Sequence, residues 1–509
     1  MTTSTGSDGG PGGGHGGGRG GPARNGGTGG TGKTGTTGTT GGTGGAPPTV
    51  APRIVFIAAA AALGGFLFGY DSAVINGAVT GIQHDFKVGS GTTGFMVAAA
   101  LPGAAAGALT GGQLADRIGR IRAMQIAAVL FVASGIGSMF AFHTWDLTLW
   151  RIIGGFAIGI ASVIGPAYIA EVSPPAYRGR LTAFQQLAIV LGIAFSALVN
   201  YLINLAAGGT NTDHLGGLAA WRWMLGAEAI PAVVYGVLAT MLPESPRYLV
   251  AIGDDDRARE VLAEVEGTTA NVGDRIAEIR AQLAGEVKPK IVDLLTPSRR
   301  NLLAVVWIGI GLSVFQQFVG INVIFYYSSL LWQSVGIDTS NSLLISMVSA
   351  VVNIAGTVVA MALVDRIGRR PLLLTGSVGM ALSLALTAWM FSYSTTSGAG
   401  GKATLPKGQG VVALLSANAY VFFFAMSWGV VVWVLLGEMF PNRIRALALS
   451  VAASAQWLAN WLVTVSFPSL SRWSLSGAYT LYAVAATLSV PFVYYLVKET
   501  KGKTLESMG

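Results

Sequence analysis

The chain has 509 residues, of which 52% are hydrophobic and only 11% charged, and its formal net charge is +8. That balance is too apolar for a water-soluble globule, so the positive charge is read as membrane topology rather than as nucleic-acid binding. There is no cysteine, which excludes disulfides, zinc–thiolate sites and thiol chemistry.

Residues 1–50 are Gly, Thr and Pro with scattered Arg. Such a tail buries too little apolar surface to offset its ordering entropy, so disorder is expected, and it is polar where a cleavable signal peptide would be apolar. From Ile54 onward come apolar stretches near the roughly 20 residues that cross a bilayer. Twelve are predicted, at approximately 54–79, 92–114, 123–142, 147–170, 181–205, 222–242, 301–331, 341–364, 371–392, 410–437, 446–470 and 474–497. The expected organisation is a tail (1–50), a six-helix bundle (51–242), a cytoplasmic helical linker (243–300), a second six-helix bundle (301–497) and a C-terminal tail (498–509). In the linker, Ala258, Val261, Leu262 and Val265, then Ile276, Ile279 and Leu283, recur at helical spacing behind Asp254, Asp255 and Asp256. Acidic residues suit a helix N-terminus, and short amphipathic helices are predicted.

Lys and Arg set the orientation. One set of loops carries Arg117, Arg120, Arg122, Arg178, Arg180, Arg366, Arg369, Arg370, Arg443, Arg445, Lys498, Lys501 and Lys503, besides the basic residues of the linker. The opposite side has only Lys87, Arg222, Lys402, Lys407 and Arg472. Both termini and the linker are therefore expected in the cytoplasm.

Within those loops the chain repeats itself. Asp116-Arg117-Ile118-Gly119-Arg120 returns as Asp365-Arg366-Ile367-Gly368-Arg369, and Glu171, Pro174 and Arg178 return with the same spacing as Glu438, Pro441 and Arg445. Two motifs repeated in order, at nearly one spacing, mark a duplicated charged hinge between membrane helices, which a two-fold rocking transporter needs. Glu171 and Glu438 are expected to bridge to Arg117, Arg366 or Arg370 and to hold the halves together when the cavity faces outward. Exposed pairs contribute only about 0–1 kcal/mol each, so such a latch has to act as a network.

Charged groups inside the spans are few, and each is expensive. Asp71 lies in the first span and Arg151 in the fourth. A carboxylate at membrane depth is driven towards its neutral form by desolvation and back by a guanidinium, so one that alternates between those settings couples a proton to a cycle. The structural alternative is a fixed Asp–Arg pair that locks two helices. A second cluster is uncharged: Gln316, Gln317, Asn322, Tyr326 and Tyr327 are read along one helix. Amides both donate and accept, as a polyol requires, and nothing here would hold a phosphate or carboxylate. Gln185, Gln186, Asn353, Gln456 and Asn460 are further amides in apolar spans, and Phe68, Trp433 and Trp457 offer flat faces to a pyranose ring. Helix–helix glue is the competing use of any single amide.

These residues resemble the sugar porter family of the major facilitator superfamily, from about Ile54 to Glu506. The resemblance rests on Gly64–Asp71, Asp116–Arg120, Glu171–Arg180, Pro243-Glu244-Ser245-Pro246-Arg247, Gln316–Asn322, Asp365–Arg370, Glu438–Arg445 and Glu499-Thr500-Lys501-Gly502. Glucose permeases of high-GC Gram-positive bacteria are the expected nearest likeness, with xylose–proton symporters and animal glucose facilitators more distant. The resemblance implies an all-α fold of twelve transmembrane helices in two six-helix bundles. It places sugar contacts at Phe68, Gln186, Gln316, Gln317, Asn322, Tyr327, Asn353, Trp433, Gln456 and Trp457, and proton coupling at Asp71 with Arg151. A cytoplasmic gate would comprise Asp116, Arg117, Arg120, Glu171, Arg178, Glu244, Arg247, Asp365, Arg366, Arg369, Arg370, Glu438 and Arg445. Ile193 stands where xylose symporters carry a second Gln, which weakens a xylose assignment. Gly429 to Trp433 lacks the proline of many relatives, leaving Gly429 to permit bending of the tenth span.

The expected function is inward transport of a hexose, D-glucose first, with a proton, by alternating access at the cell membrane. The partners are sugar, protons and membrane lipid, with no nucleic acid and no cofactor, and a monomer is the expected unit. Facilitated diffusion, or xylose or myo-inositol as substrate, is the alternative. A sugar sensor would usually need a cytoplasmic output domain, and the chain ends at Gly509, barely past the last span. An enzyme would need a nucleophile–base set or a metal cluster, and His15, His84, His143 and His214 are scattered over tail and loops.

Overall fold

A computed structural model of the chain describes residues 52–173, 178–266, 272–284, 291–295, 301–396, 403–441 and 444–501. The tail 1–50, Lys402 and the side chain of Arg178 lie outside the described residues. Apolar runs that must satisfy every backbone N–H and C=O without water can cross a bilayer only as helices or closed barrels. Among the described residues, twelve helical stretches are long and apolar enough: Arg53–Phe86, Ser90–Ile118, Arg120–Met139, Thr144–Val172, Phe184–Ala207 and Ala220–Thr240, then Ala304–Ser334, Thr339–Ile367, Arg369–Phe391, Gly408–Met439, Leu447–Trp473 and Leu475–Leu496. They are called the first to twelfth spans. Their outward faces carry exposed Leu109, Val129, Ile230, Leu382 and Leu458, which suits hydrocarbon and would be a liability in water.

Between the sixth and seventh spans lie helices Pro246–Ala251, Asp255–Glu266 and Val272–Ala284 and a 3₁₀ turn at Ile291–Leu294. The apolar stripe read there packs inward: Ala258, Val261, Leu262, Val265 and Ile276 are buried.

Several spans are interrupted. The seventh consists of helices Ala304–Phe318 and Ile321–Ser334, parted at Gly320, whose φ of 84° is left-handed. Gln316 and Asn322 therefore stand on two helices that meet at a break, a correction to the single helix read from spacing. The tenth span breaks at Ser427 (φ −133°, ψ −89°), not at Gly429. The Ser427 hydroxyl donates to the Phe423 carbonyl at 2.6 Å, which gives the backbone a partner where the helix stops. The sixth span breaks between Gly226 and Ala229, where the Glu228 N–H turns back to the Leu225 carbonyl at 3.3 Å.

Two cores result. One holds residues of the first half nearest the duplicated loops: Ile54 to Leu67, Ala123 to Phe131, Ala157 to Val172 and Ala232 to Leu242, with the linker helices. The other joins the far end of the first half (Tyr70 to Ile82, Met96, Leu147, Trp221 to Leu225) to the whole second half. Apolar packing is thus continuous between the halves at the end away from the duplicated loops.

Candidate functional site

The first and fourth spans bring Asp71 and Arg151 together. Arg151 Nη1 donates to Asp71 Oδ1 at 2.7 Å and to the Asp71 carbonyl at 3.3 Å. Both side chains are excluded from solvent, at 0% and 4% exposure. A third charged group, absent from the sequence reading, completes the site. Glu228, at the break in the sixth span, is buried and faces both Asp71 and Arg151. Among the described residues, Arg151 Nε and the Tyr70 hydroxyl have no hydrogen-bond partner, and no donor reaches Asp71 Oδ2 or Glu228 Oε1. Two carboxyls and one guanidinium buried together form an unbalanced set, whose balance a single proton changes. The signal is present in the sequence, since Glu228 falls inside the predicted sixth span, 222–242.

The uncharged cluster forms at the seventh-span break. Asn322 Nδ2 donates to Gln317 Oε1, Gln317 Nε2 to Gln316 Oε1 at 3.3 Å, and Gln316 Nε2 to the Trp428 carbonyl at 2.9 Å. The chain of amides thus runs from one broken span to another, ending beside the Ser427 break. Broken spans whose freed backbone groups line a cavity are where transporters hold their cargo. The Tyr327 hydroxyl donates to the Thr464 carbonyl at 3.1 Å. Gln456 Oε1 is buried without a partner among the described residues. Phe68 and Trp457 meet across the halves with ring centroids 5.9 Å apart. The structure joins neither Gln186 nor Asn353 nor Trp433 to the amide cluster by a hydrogen bond, and Trp433 is 40% exposed.

The charged pair and the second half share one cavity. A small void of about 10 Å³ is lined by Asp71, Ser72, Arg151 and residues of the second span, and on the far side by Tyr326 and Trp457.

At the loop end the duplication is exact in its contacts. Arg120 donates from Nε and Nη2 to both oxygens of Glu171 at 3.0 Å, and Arg369 does the same to Glu438 at 3.0 and 2.8 Å. Arg120 and Arg369 also pair with Asp116 and Asp365 at 3.1 and 3.0 Å. A third element of the repeat escaped the sequence reading. Glu244 accepts the backbone N–H groups of Arg120 and Ile121 at 3.0 and 3.3 Å, and Glu499 those of Arg369 and Arg370 at 3.1 and 2.9 Å. The next residues, Ser245 and Thr500, donate their hydroxyls to Glu171 and Glu438. Each carboxylate caps the N-terminus of a span with charge of the favoured sign. The turns that allow this are Gly119 (φ 96°) and Gly368 (φ 105°), a conformation that side chains resist.

The partners differ from those expected. Glu171 and Glu438 take Arg120 and Arg369, each within its own half, rather than Arg117, Arg366 or Arg370. Arg117 and Arg366 close the preceding helices on exposed faces, whereas Arg120 and Arg369 open the next ones, turned inward by the glycine. Arg370 reaches the Tyr494 carbonyl, Arg445 the Phe440 carbonyl at 3.1 Å, and Arg247 is half-buried.

Among the described residues, the hydrogen bonds between halves lie at the opposite end. Asn76 Nδ2 donates to Ser346 Oγ at 3.0 Å, and Asn76 Oδ1 accepts the Ser329 N–H at 2.8 Å. The Ser329 hydroxyl donates to the Asn76 carbonyl. Asn204 Nδ2 donates to Ser340 Oγ at 3.0 Å.

Twelve spans in two bundles, with broken helices meeting a buried charged pair between them, define a membrane transporter of the major facilitator fold, not an enzyme. The model for sugar (and other) transporters matches residues 57–509, and the chain belongs to that family. It is 53% identical over 457 residues to the glucose transport protein of Synechocystis sp., covering 89% of this chain and 97% of that one. To the D-xylose-proton symporter of Escherichia coli (strain K12) it is 38% identical over 493 residues, covering 89% and 95%. Among solved structures it is similar to the partially occluded inward open conformation of the xylose transporter XylE from E. coli, with a TM-score of 0.76 at 36% identity, covering 89% and 100%. The expected likeness to permeases of high-GC Gram-positive bacteria gives way to a cyanobacterial relative, and the glucose transporter GlcP of Staphylococcus epidermidis stands further off at 32%.

Proposed function

We propose that this protein imports a hexose, D-glucose first, together with a proton. The observation that carries the reading is adjacency: around one small void the Asp71–Arg151 pair of the first half faces Tyr326 and Trp457 of the second. Protonation at one wall and sugar at the other can then bias the same closure. The bundles 51–242 and 301–497 are the rocking bodies, joined by the linker 243–300, and they close in turn at the duplicated-loop end and at the Asn76 end. Gln316, Gln317, Asn322, Tyr327 and Gln456 hold the hydroxyls, with Gln186, Asn353 and Trp433 joining as the cavity closes, and Phe68 and Trp457 cover the ring. The arginine-rich loops and both termini face the cytoplasm, the membrane is the cell membrane, and a monomer embedded in lipid suffices. Glucose as first substrate is supported by the 53% identity to a glucose transport protein and by Ile193, and proton coupling by the 38% identity to a D-xylose-proton symporter.

The test is uptake of labelled glucose into proteoliposomes, with and without an imposed proton gradient, against xylose, myo-inositol and other competitors. Gradient-driven accumulation of glucose is expected. Equilibration without accumulation would make the protein a uniporter and Asp71–Arg151 a structural lock. Stronger competition by xylose would reassign the substrate.

A further inference from the structure

The break in the tenth span is held by two spans to which the functional reading gives no part. Trp428 opens the helix that follows Ser427 and is fully buried. Its indole Nε1 donates to Ser377 Oγ of the ninth span at 2.9 Å. Ser377 Oγ is hydrogen-bonded in turn to Ser489 Oγ of the twelfth span at 2.8 Å, and Ser489 Oγ donates to the Ala486 carbonyl at 2.7 Å. Both serines are fully buried, so the hydroxyl that takes the indole is itself fixed from a third span. Gly376, beside Ser377, lets the ninth span close on the break, since a Cβ there would collide with the Ser427 side chain. The carbonyl of the same Trp428 faces the amide cluster and accepts from Gln316 Nε2 at 2.9 Å. A carbonyl only accepts, so Gln316 has to turn its nitrogen to Trp428 and its oxygen to Gln317. Gln317 then answers with its nitrogen and offers its oxygen to Asn322. One backbone oxygen thus sets which atoms three amides leave for a ligand.

We propose that Ser377, backed by Ser489, is a positioning residue for sugar binding: by holding the Trp428 indole it fixes the carbonyl that orients the amides of Gln316, Gln317 and Asn322. A helix break leaves the first residue after it free to turn, and an indole bonded to a buried hydroxyl removes that freedom. Without the Ser377 hydroxyl the buried indole N–H loses its partner, and the residue turns to find another. Its carbonyl moves with it, and Gln316 is released to rotate its amide by half a turn. The amides behind it follow, so a sugar meets donors and acceptors in mixed order. The steps that close the cavity use contacts elsewhere and are left intact. The proposal rests on the reading of these amides as the sugar site.

The test uses the full-length protein, with D-glucose as the probe, and reads affinity by calorimetry and maximal counterflow rate in proteoliposomes. Ser377→Ala should weaken glucose binding by about fivefold or more and leave the maximal rate within about twofold of the parent, because an unmade buried hydrogen bond is felt at the site it orients. In a Gln316→Leu background, which has no amide to orient, Ser377→Ala should weaken binding no further. Ser489→Ala, which keeps the Trp428–Ser377 bond and removes only its backing, should give a smaller loss of about twofold that likewise vanishes in the Gln316→Leu background, and it carries the test if Ser377→Ala does not fold. Parental affinity in the serine variants would overturn the proposal. So would a loss that adds in full to that of Gln316→Leu, which would make the serines packing residues. Parental affinity in Gln316→Leu with both serines intact would remove the sugar-site reading and this proposal with it, and that failure is told apart because it shows before either serine is changed.

Discussion

At the scale of single residues, the site turns on an excess of acid. Asp71 is held by Arg151 at 2.7 Å, while Glu228 faces the same pair and, among the described residues, has no other salt-bridge partner. Asp71→Asn keeps the size of the side chain and removes its proton. Sugar counterflow should survive while accumulation against a gradient is lost, and accumulation that persists would clear Asp71 of the carrier role. Glu228→Gln should leave the Asp71–Arg151 bridge standing and shift the pH dependence of uptake, as a comparison of transport across pH would reveal. Gln317 is the second residue-scale case, since its amide oxygen accepts from Asn322 and its nitrogen donates to Gln316. Gln317→Ala should weaken sugar binding by about tenfold, because an unmade hydrogen bond in a buried site costs roughly 1–3 kcal/mol. Unchanged affinity by calorimetry would mean that these amides only tie the seventh span to the tenth.

At the scale of elements, the informative features are where helices stop. Residue types predicted the twelve apolar runs, because hydrophobicity and length alone decide what a bilayer accepts. They did not predict the breaks at Ser427 and Glu228, which depend on a serine bonding its own backbone and on packing against other spans. Glu244 and Glu499 were equally hidden as a pair, because Pro-Glu-Ser and Lys-Glu-Thr look unalike until both carboxylates are seen capping the same helix end. Burial pushes the Glu499 carboxyl upward, and the backbone N–H groups of Lys501, Arg370, Arg369 and Thr500 outweigh it, leaving it below its ordinary value of 4.5. A depressed carboxylate contributes stability above its ordinary value and loses it as pH falls through the folded one. Glu499→Gln should therefore melt at a lower temperature than the parent at neutral pH, and the difference should shrink on acidification below about 4.5. A gap that stays constant with pH would show that the charge contributes nothing to the cap.

At the scale of the whole molecule, the halves are fastened at one end. Asn76 reaches Ser329 and Ser346, and Asn204 reaches Ser340, all away from the duplicated loops. Asn76→Ala loses two buried side-chain bonds, worth about 0.5–1.5 kcal/mol each, and should favour the form open at that end by roughly five- to a hundredfold. The chain has no cysteine, so one placed at the buried Ser349 is a clean reporter. A membrane-impermeant thiol reagent applied from the Asn76 side should label it faster in the Asn76→Ala background, and equal rates would show that this contact does not set the balance. The sequence by itself determined the spans, the internal duplication, the charge asymmetry between loops, and two sets of polar residues inside the spans, one charged and one of amides. Those follow from composition and period, which need no knowledge of neighbours. Only the tertiary structure decided that Glu228 joins Asp71 and Arg151, that Arg120 and Arg369 are the partners of Glu171 and Glu438, and which end of the molecule is shut. Each of these rests on side chains brought together from distant spans, where a turn of one helix or a break in another chooses between equally charged candidates.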